Sequence, residues 1–406
     1  MRKQVLFVSP VSPVRDGIGI QQRAFRNLNL LTDHYAVDAV ILADKFDDRF
    51  LKQLPVNATT CIDFAYKDLP DRLRTVPGMQ LLWRIWWHVG QRLRITLRKS
   101  KIKKRLSEVL ACDFEFVFYF RIKSYWVHSF LASNNANFSP RTIVDFDDYE
   151  SLARSQMLPY IYKAMGRQKY YSNHVDIFFT KRLENKILRS ADHVLVSSEI
   201  DKISLTKKGS KLVPITVLPN TVYLPDKLPR SQGSRRIMFL GAMNYYPNID
   251  GAVFFCSTVL PILREKLPNP VEIYLVGSSP SDEILQLGRI AEVTVTGRVE
   301  NLRDYYQKSD IVIVPIRMGG GTRIKIIEAM AYGRMVMSTT IGCEGIPIRS
   351  SQELVIADEP EKFAIDCASY LSCPNSRHVI EQKARKFVEE KYSYESAQSI
   401  FQSSHV

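Results

Sequence analysis

The sequence predicts an α/β protein made of two successive halves, each built on a parallel sheet. Short apolar runs recur along the 406 residues and alternate with segments of helical periodicity, which is the pattern of βαβ units. A polar stretch rich in Pro, Gly and Ser, Leu224–Ser234, interrupts this alternation and is typical of an interdomain linker. The length of the chain also favours about two domains.

The first half begins with a strand at Val5–Val8, followed by a glycine-containing loop and a helix over about Gln21–Leu31. Its further predicted strands are Val37–Leu42, Phe114–Phe120, Thr142–Phe146 and Val194–Val196. We expect this half to be an N-terminal domain of residues 1–226.

The second half begins again with the apolar run Arg236–Gly241, which is followed by a helix over about Ile249–Lys266. Its further predicted strands are Val271–Val276, Val293–Thr296, Ile311–Val314 and Val336–Ser338. We expect a C-terminal domain of residues 235–380. Residues 376–402 have helical character, and we expect the segment 381–406 to cross back to the first domain.

Composition narrows the class of protein. The hydrophobic share of 45% and the charged share of 24% are ordinary for a soluble globular chain. The six cysteines are scattered without a C-x-x-C pair, which argues against a disulfide framework or a zinc site. No apolar run reaches the roughly 18 residues that span a bilayer. Met1 leads directly into the first strand, so we expect no signal peptide and a cytoplasmic location.

The net charge of +14 is unevenly distributed. Residues 230–406 hold 20 basic and 20 acidic side chains, and residues 1–229 hold 36 and 22. The block Arg72–Ser107 contains no acid, and within 81–105 a helical face of tryptophan and aliphatic residues is flanked by bases. Such a helix favours an anionic membrane surface, and the alternative is a helix docked on its own domain with solvated bases. We expect no nucleic acid partner, because no recognition motif accompanies the charge.

The most informative segment is Asp310–Gly333, which predicts a buried strand, a glycine turn at Gly319–Gly321 and a helix that begins near Thr322. Glycines allow a close approach of the backbone to a ligand, and the first N–H groups of a helix point at an anion. Arg323 and Lys325 add two cations where the helix dipole alone would favour acids. Glu328, further along the helix, is able to accept hydrogen bonds from hydroxyl groups. The segment therefore predicts a site for an anion such as a pyrophosphate, since a plain strand–turn–helix unit would leave these residues unexplained.

Gly17 and Gly19 follow the first strand and open a helix. As a dinucleotide fingerprint the motif is incomplete, because Gln22 stands where the third glycine is required. Two interpretations stay open. The glycines either serve a turn, or they form a loop that faces the ligand of the other domain across a cleft and offers N–H groups to a phosphate.

An acidic cluster lies at the end of a predicted strand and comprises Asp145, Asp147, Asp148 and Glu150. Such carboxylates are able to ligate a hard cation or to shift one another's pKa. An acidic loop at a helix N-terminus is the simpler alternative. Because the ends of parallel strands face the binding crevice, Asp147 and Asp148 are candidates for contact with an acceptor.

The segment Arg317–Gly333 strongly resembles the donor-binding core of family-4 glycosyltransferases, which have the GT-B architecture of two Rossmann-like domains facing across a cleft. Four further segments resemble the C-terminal domain of that family: Phe239–Asn248, Leu275–Gly277, Val295–Val299 and Thr339–Gly345. Three N-terminal segments resemble a bacterial polysaccharide-associated branch: Val144–Ser151, Ala191–Glu199 and Leu218–Asn220.

The resemblance implies roles for single residues. Glu328 matches the second glutamate of the family's E-x7-E motif, which holds the nucleotide ribose, whereas Gly320 replaces the first. Arg323 and Lys325 match the cations that bind the diphosphate, in a chain that has Asn244 and Asn248 where an Arg/Lys pair is usual. These three matched residues are the catalytic candidates. The other implied donor-binding residues are Gly17, Gly19, Gly241, Gly319, Gly320, Gly321 and Thr322.

The resemblance also implies an activity. A retaining glycosyltransferase would move a sugar from a nucleotide-diphosphate sugar to a hydroxyl of a glycan or lipid-linked acceptor, in bacterial polysaccharide or glycoconjugate synthesis. It would need neither a metal nor a cofactor, and it would work in the cytoplasm, or at the inner face of the plasma membrane as a peripheral protein. The alternatives are a GT-B-fold sugar-nucleotide epimerase and a non-catalytic protein that binds nucleotide sugars.

Overall fold

The computed structural model describes residues 2–15, 17–42, 54–62, 106, 109, 112–134, 139–207, 213–226, 228 and 235–404. The chain divides into two compact units, an N-terminal unit of Met1–Leu218 with Ile400–Val406 and a C-terminal unit of Pro219–Ser399. The predicted basic helix at 81–105 lies outside the described residues. Its contact with a membrane and the predicted domain limits stay predictions.

In the N-terminal unit, the described residues form one parallel sheet with the strand order β3-β2-β1-β4-β5-β6-β7. The strands are β1 Gln4–Ser9, β2 Ala36–Leu42, β3 Ala58–Ile62, β4 Phe116–Phe120, β5 Arg141–Asp145, β6 His193–Val196 and β7 Ile215–Val217. The helices are α1 Gly19–His34, α2 His128–Asn134, α3 Glu150–Ser190 and α4 Glu199–Thr206, with a 3-10 turn at Ile122–Val127. All five residues of β4 are buried, as expected for a parallel strand that is covered on both faces.

The C-terminal unit contains a second parallel sheet, whose described strands follow the order β10-β9-β8-β11-β12-β13. They are β8 Arg236–Leu240, β9 Glu272–Val276, β10 Val293–Gly297, β11 Ile311–Val314, β12 Met335–Ser338 and β13 Val355–Ile356. Its helices up to the fourth strand, β11, are α5 Tyr246–Phe254, α6 Leu260–Lys266, α7 Asp282–Leu287 and α8 Leu302–Lys308. The later helices are α9 Ile324–Ala331, α10 Pro360–Ser372, α11 Pro374–Lys391 and α12 Tyr394–Ser403.

The two sheets share one topological feature. The first strand of each, β1 or β8, lies between the next strand in the chain and a strand that comes later, β4 or β11. Ligands of open parallel sheets bind outside the carboxyl ends of the strands at such a switch point. The fold therefore marks the loops that follow β1 and β4 in one unit, and those that follow β8 and β11 in the other.

The prediction of an α/β fold with two parallel sheets is confirmed, and the predicted strands are all present within two residues at each end. The single helix predicted at Ile249–Lys266 was too simple, because a π-helical segment, Phe255–Val259, separates α5 from α6. The strands β3, β7 and β13 were not predicted, since they are short or carry few large apolar side chains. Over the part of the chain that the structure describes, no helix has the length and apolar character needed to cross a bilayer.

Candidate functional site

The glycine turn between β11 and α9 depends on backbone conformations that favour glycine. Gly319 has φ 91° and Gly321 has φ 82°, both in the left-handed region that side chains with a Cβ disfavour. The helix begins at Ile324 rather than near Thr322, so Arg323 occupies the N-cap position instead of the first turn. The turn and the start of α9 lie beyond the carboxyl end of β11, at the switch point.

The N-terminus of α9 carries basic residues where the helix dipole would favour acids. The Arg323 side chain makes no capping hydrogen bond, and the first turn contains no acidic residue. Arg323 donates instead to the carbonyl oxygens of Gly320 and Gly321, the latter at 2.6 Å. A guanidinium therefore lies beside the glycine turn where the helix dipole is also positive, which is an arrangement suited to an anion.

Lys325 supplies the second cation of this site. Its Nζ donates to Asn248 Oδ1 at 2.9 Å and lies 4.8 Å from the centre of the Phe239 ring. Burial of the ammonium, with a smaller contribution from the nearby charge of Arg323, lowers the pKa of Lys325 to about 7. An anion bound at this site would stabilise the protonated form of Lys325.

Asn248 connects the loop after β8 to this cation. The side chain is only 4% exposed, and its Nδ2 donates to Ala242 O at 2.8 Å while its Oδ1 accepts from Lys325. The predicted donor residue Gly241 lies beside these two side chains. A Cβ on Gly241 would come within 2.5 Å of Asn248 Nδ2 and 2.8 Å of Lys325 Nζ. The contact between Asn248 and Lys325 was not predicted, although the position of Asn248 after β8 was the available signal.

Gly277 directly follows β9 and also shapes the site, although the sequence analysis did not include it among the site residues. Its φ is 154°, and a Cβ on it would lie 1.6 Å from the carbonyl oxygen of Gly241. The loops after β8 and β9 are therefore packed backbone to backbone, which fixes the position of Gly241.

Glu328 lies one turn beyond Lys325 on the same face of α9. Its Oε2 accepts a hydrogen bond from the hydroxyl of the fully buried Tyr306 at 3.3 Å. Burial raises the pKa of Tyr306 well above its ordinary value, and the charge of Glu328 adds to the effect, so the phenol remains a donor. The loops and the helix that follow β8 and β11 therefore hold most of the predicted donor-site residues: Gly241, Gly319–Gly321, Arg323, Lys325 and Glu328.

Gly17 and Gly19 lie in the N-terminal unit, between β1 and α1. The carbonyl oxygen of Gly17 accepts from Gln22 Nε2 at 3.0 Å, and a Cβ on Gly17 would come within 2.6 Å of Gln21 Oε1. Gly17 therefore has a local steric role, and Gly19 is the first residue of α1. Contact of either glycine with a donor stays a prediction.

The acidic cluster after β5 is bound to arginines. Asp145 is fully buried and accepts two hydrogen bonds from Arg23, at 2.8 and 2.9 Å, and one from Asn27 at 2.5 Å. Sequence reasoning did not identify Arg23, because it precedes Asp145 by 122 residues on a helix with no acidic partner nearby.

Asp147 and Asp148 share a second arginine. Arg121 Nη1 donates to one oxygen of each at 2.8 Å, and Arg121 Nη2 donates to Glu150 at 3.3 Å. Burial raises the pKa of Asp148 to about 6, although Arg121 acts in the opposite direction. Arg121 and Asp147 have φ of 62° and 64°, a strained conformation that is typical of functional loops. Among the described residues no three His, Cys, Asp or Glu side chains are arranged to hold a metal ion. The acceptor role of Asp147 and Asp148 stays a prediction.

Comparison with known proteins agrees with this architecture. Residues 234–372 match the family model described as Glycosyl transferases group 1. An uncharacterized 44.6 kDa protein in the cps region of Klebsiella pneumoniae is 25% identical over 164 residues, which cover 38% of this chain and 42% of that protein. The match thus spans less than half of the relative's length.

Solved structures resemble the whole chain. Sucrose-phosphate synthase from Thermosynechococcus elongatus is 15% identical with a TM-score of 0.66, and the match covers 100% of this chain and 98% of that one. Anabaena HepE in complex with UDP-glucose is 12% identical with a TM-score of 0.62 and 99% coverage of both chains. At these identities the likeness establishes the fold, which is GT-B. The shared fold and the family match over residues 234–372 together support a GT-B glycosyltransferase.

Proposed function

We propose that this protein transfers a sugar from a nucleotide-diphosphate sugar to a hydroxyl of a glycan or lipid-linked acceptor, with retention of configuration and without a metal. The observation that carries the proposal is the site at the start of α9. There Arg323, Lys325 and a helix N-terminus lie beside a left-handed glycine turn. The family match over the same unit and a fold shared with a UDP-glucose-bound structure support a nucleotide sugar as the ligand.

The diphosphate binds in this scheme at the glycine turn. Arg323 gives up its hydrogen bonds to Gly320 and Gly321 and donates to the phosphoryl oxygens instead. Lys325 donates to the same oxygens while it stays hydrogen-bonded to Asn248. Glu328, one turn further along, accepts from the ribose hydroxyls, as the family resemblance implies. Tyr306 holds the carboxylate of Glu328 at 3.3 Å and so limits its rotation.

The transfer step places charge where this site carries its cations. The bond between the anomeric carbon and the diphosphate oxygen breaks, and a bond from that carbon to the acceptor oxygen forms on the same face of the sugar. The departing phosphate takes the proton of the acceptor hydroxyl, so the scheme requires no side chain as a base. Negative charge grows on the diphosphate, and Arg323, Lys325 and the helix dipole stabilise it there. A metal ion is not needed for that role.

The decisive experiment has two arms. A thermal-shift panel of nucleoside diphosphates and their sugars identifies the donor, because a ligand that binds only the native protein raises its melting temperature. Incubation of that donor with glycan and lipid-linked acceptors then gives a glycoside whose anomeric configuration NMR determines. We expect a thermal shift with at least one nucleotide sugar, a smaller shift in Arg323→Ala, and retained anomeric configuration in the product with EDTA present.

Other outcomes would redirect the proposal. Interconversion of the nucleotide sugar in the absence of an acceptor would identify an epimerase. Binding without transfer or hydrolysis across the acceptor panel would identify a nucleotide-sugar-binding protein. An inverted product would refute retention while leaving the binding site in place.

A further inference from the structure

A surface of the N-terminal unit outside the sites described above lies on α3. A straight helix of its 41 residues would be about 60 Å long, and Ser151 and Glu184 would then be about 50 Å apart. In the structure Ser151 N donates to Glu184 Oε1 at 2.9 Å. Gly166, with φ 76° and ψ 177°, leaves the helical conformation. The chain therefore reverses at Gly166, and α3 is a hairpin of two antiparallel arms.

Contacts along the arms agree with this pairing. The rings of Tyr162 and Tyr170 meet at 5.3 Å on either side of the reversal. Ile161 on the first arm and Ser172 and Asp176 on the second are buried. The hairpin therefore has an inner side, where Asp176 lies, and an outer side that remains exposed.

The outer side carries aromatic rings. Tyr160, Tyr162, Tyr171 and Phe178 are 37%, 46%, 56% and 54% exposed. Tyr171 and Phe178 are seven residues apart and so lie on one face of the second arm. Burial of a side chain of this size stabilises a folded protein by on the order of 1.5–3 kcal/mol. An exposed fraction of about one half is therefore high for these rings.

The same side is strongly basic. Four basic side chains between 152 and 182 are exposed, namely Lys163, Arg167, Lys181 and Arg182, whereas Arg154 is bound to Glu150 at 2.7 Å. The acid in this range, Asp176, is only 5% exposed and so adds little negative charge to the surface. Arg182 lies over the Phe178 ring at 5.5 Å, which places a cation directly beside an exposed aromatic group.

We propose that this hairpin docks on an anionic lipid surface, with its aromatic rings in the headgroup region and its bases on the lipid phosphates. Charge complementarity selects this partner, because the described residues between 152 and 182 present exposed bases and no exposed acid. Tyrosine rings are amphipathic and suit a boundary between water and lipid, and long basic side chains extend from such a boundary to the phosphates. The hairpin is a different segment of the chain from the predicted helix at 81–105, which lies outside the described residues.

Flotation of the full-length protein tests the docking. The vesicles are phosphatidylcholine alone, and one part phosphatidylglycerol to two parts phosphatidylcholine. We expect binding to the anionic vesicles that weakens with salt. Each base near an anionic surface contributes roughly five-fold to partitioning, so Lys163→Glu with Arg167→Glu should weaken binding by at least about 25-fold. The control variant, Arg289→Glu with Lys386→Glu, changes the net charge by the same amount at exposed residues of the C-terminal unit. It should weaken vesicle binding far less.

The aromatic contribution has its own pair of variants. Tyr171→Ser with Phe178→Ser should reduce binding, whereas Ile365→Ser with Val379→Ser, which removes side chains of 46% and 51% exposure elsewhere, should not. A cooperative melting transition close to that of the wild type shows that each variant is folded.

Three results would overturn the proposal. The first is equal binding to neutral and anionic vesicles. The second is hairpin variants that bind as the wild type does, which would assign any membrane contact to another segment. The third is a wild-type protein that does not bind vesicles but self-associates in sedimentation, with hairpin variants that no longer self-associate. That result would assign the surface to a second copy of the chain.

Discussion

Replacement of Lys325 by Met tests the electrostatics of the proposed donor site most directly. In the unliganded protein burial lowers the pKa of Lys325 to about 7, and a bound diphosphate would raise it. Donor binding is then linked to uptake of a proton. The affinity is full below pH 7 and falls as the pH rises above 7, by up to about ten-fold per pH unit. We expect the Kd of the wild type to be up to about 100-fold weaker at pH 9 than at pH 6.

The variant should lose both the affinity and its pH dependence. A charge-assisted hydrogen bond contributes about 1.5–3 kcal/mol, so Lys325→Met should bind about 10- to 150-fold more weakly at pH 6. At pH 9 the wild-type ammonium is largely deprotonated before binding, and the two proteins should converge. Isothermal titration calorimetry with a nucleotide sugar measures this, because both phosphates of such a donor are diesters with constant charge in this range. Buffers of different ionisation enthalpy count the protons taken up.

The same pKa has a consequence for folding. The unfolded chain holds the Lys325 proton up to its ordinary pKa of 10.5, whereas the folded protein releases it near pH 7. Stability therefore rises with pH between about 7 and 10.5, and Lys325→Met should flatten that rise and increase the melting temperature of the unliganded protein at pH 7. Lys266→Met, on an exposed helix end, is the matched control. A Kd that stays constant from pH 6 to 9, or one that rises as steeply in the variant as in the wild type, would refute the reasoning.

Three further predictions concern single contacts. Arg323→Ala should slow transfer about 10- to 150-fold without unfolding, because one charge-assisted interaction with the leaving group is lost, and steady-state kinetics measures this. Gly319→Ala should cost about 1–2 kcal/mol in urea denaturation, since φ there is 91°, whereas Gly320→Ala, outside the left-handed region, should be nearly neutral. Arg23→Met should destabilise the N-terminal unit by about 3–5 kcal/mol, because it leaves the Asp145 carboxylate buried without its cation.

Each of these predictions has a contrary result. Wild-type turnover in Arg323→Ala would remove Arg323 from the site. Equal losses in the two glycine variants would show that side-chain volume, rather than backbone conformation, limits the turn. A midpoint for Arg23→Met within error of the wild type would show that the buried Asp145 side chain does not depend on Arg23 for its stability.

Much of the local structure was predictable from the sequence. The strand at Ile311–Val314 has the predicted limits, because a parallel strand covered on both faces needs an unbroken apolar run that a reader can recognise. The start of the next helix was placed near Thr322, yet Arg323 takes an extended conformation and the helix begins at Ile324. An arginine in the N-cap position has no local signal, because side chains that normally cap a helix are short and polar.

The chain by itself determined the alternation of strands and helices, the glycine turn and the cations that follow it, since these depend on apolar periodicity and on the backbone freedom of glycine. The tertiary structure alone decided which side chains meet. Asn248 reaches Lys325 across 77 residues and Arg23 reaches Asp145 across 122, because the order of strands in the sheets brings their loops together. The lowered pKa of Lys325 has the same origin, as the cost of desolvating a charge depends on the groups packed around it.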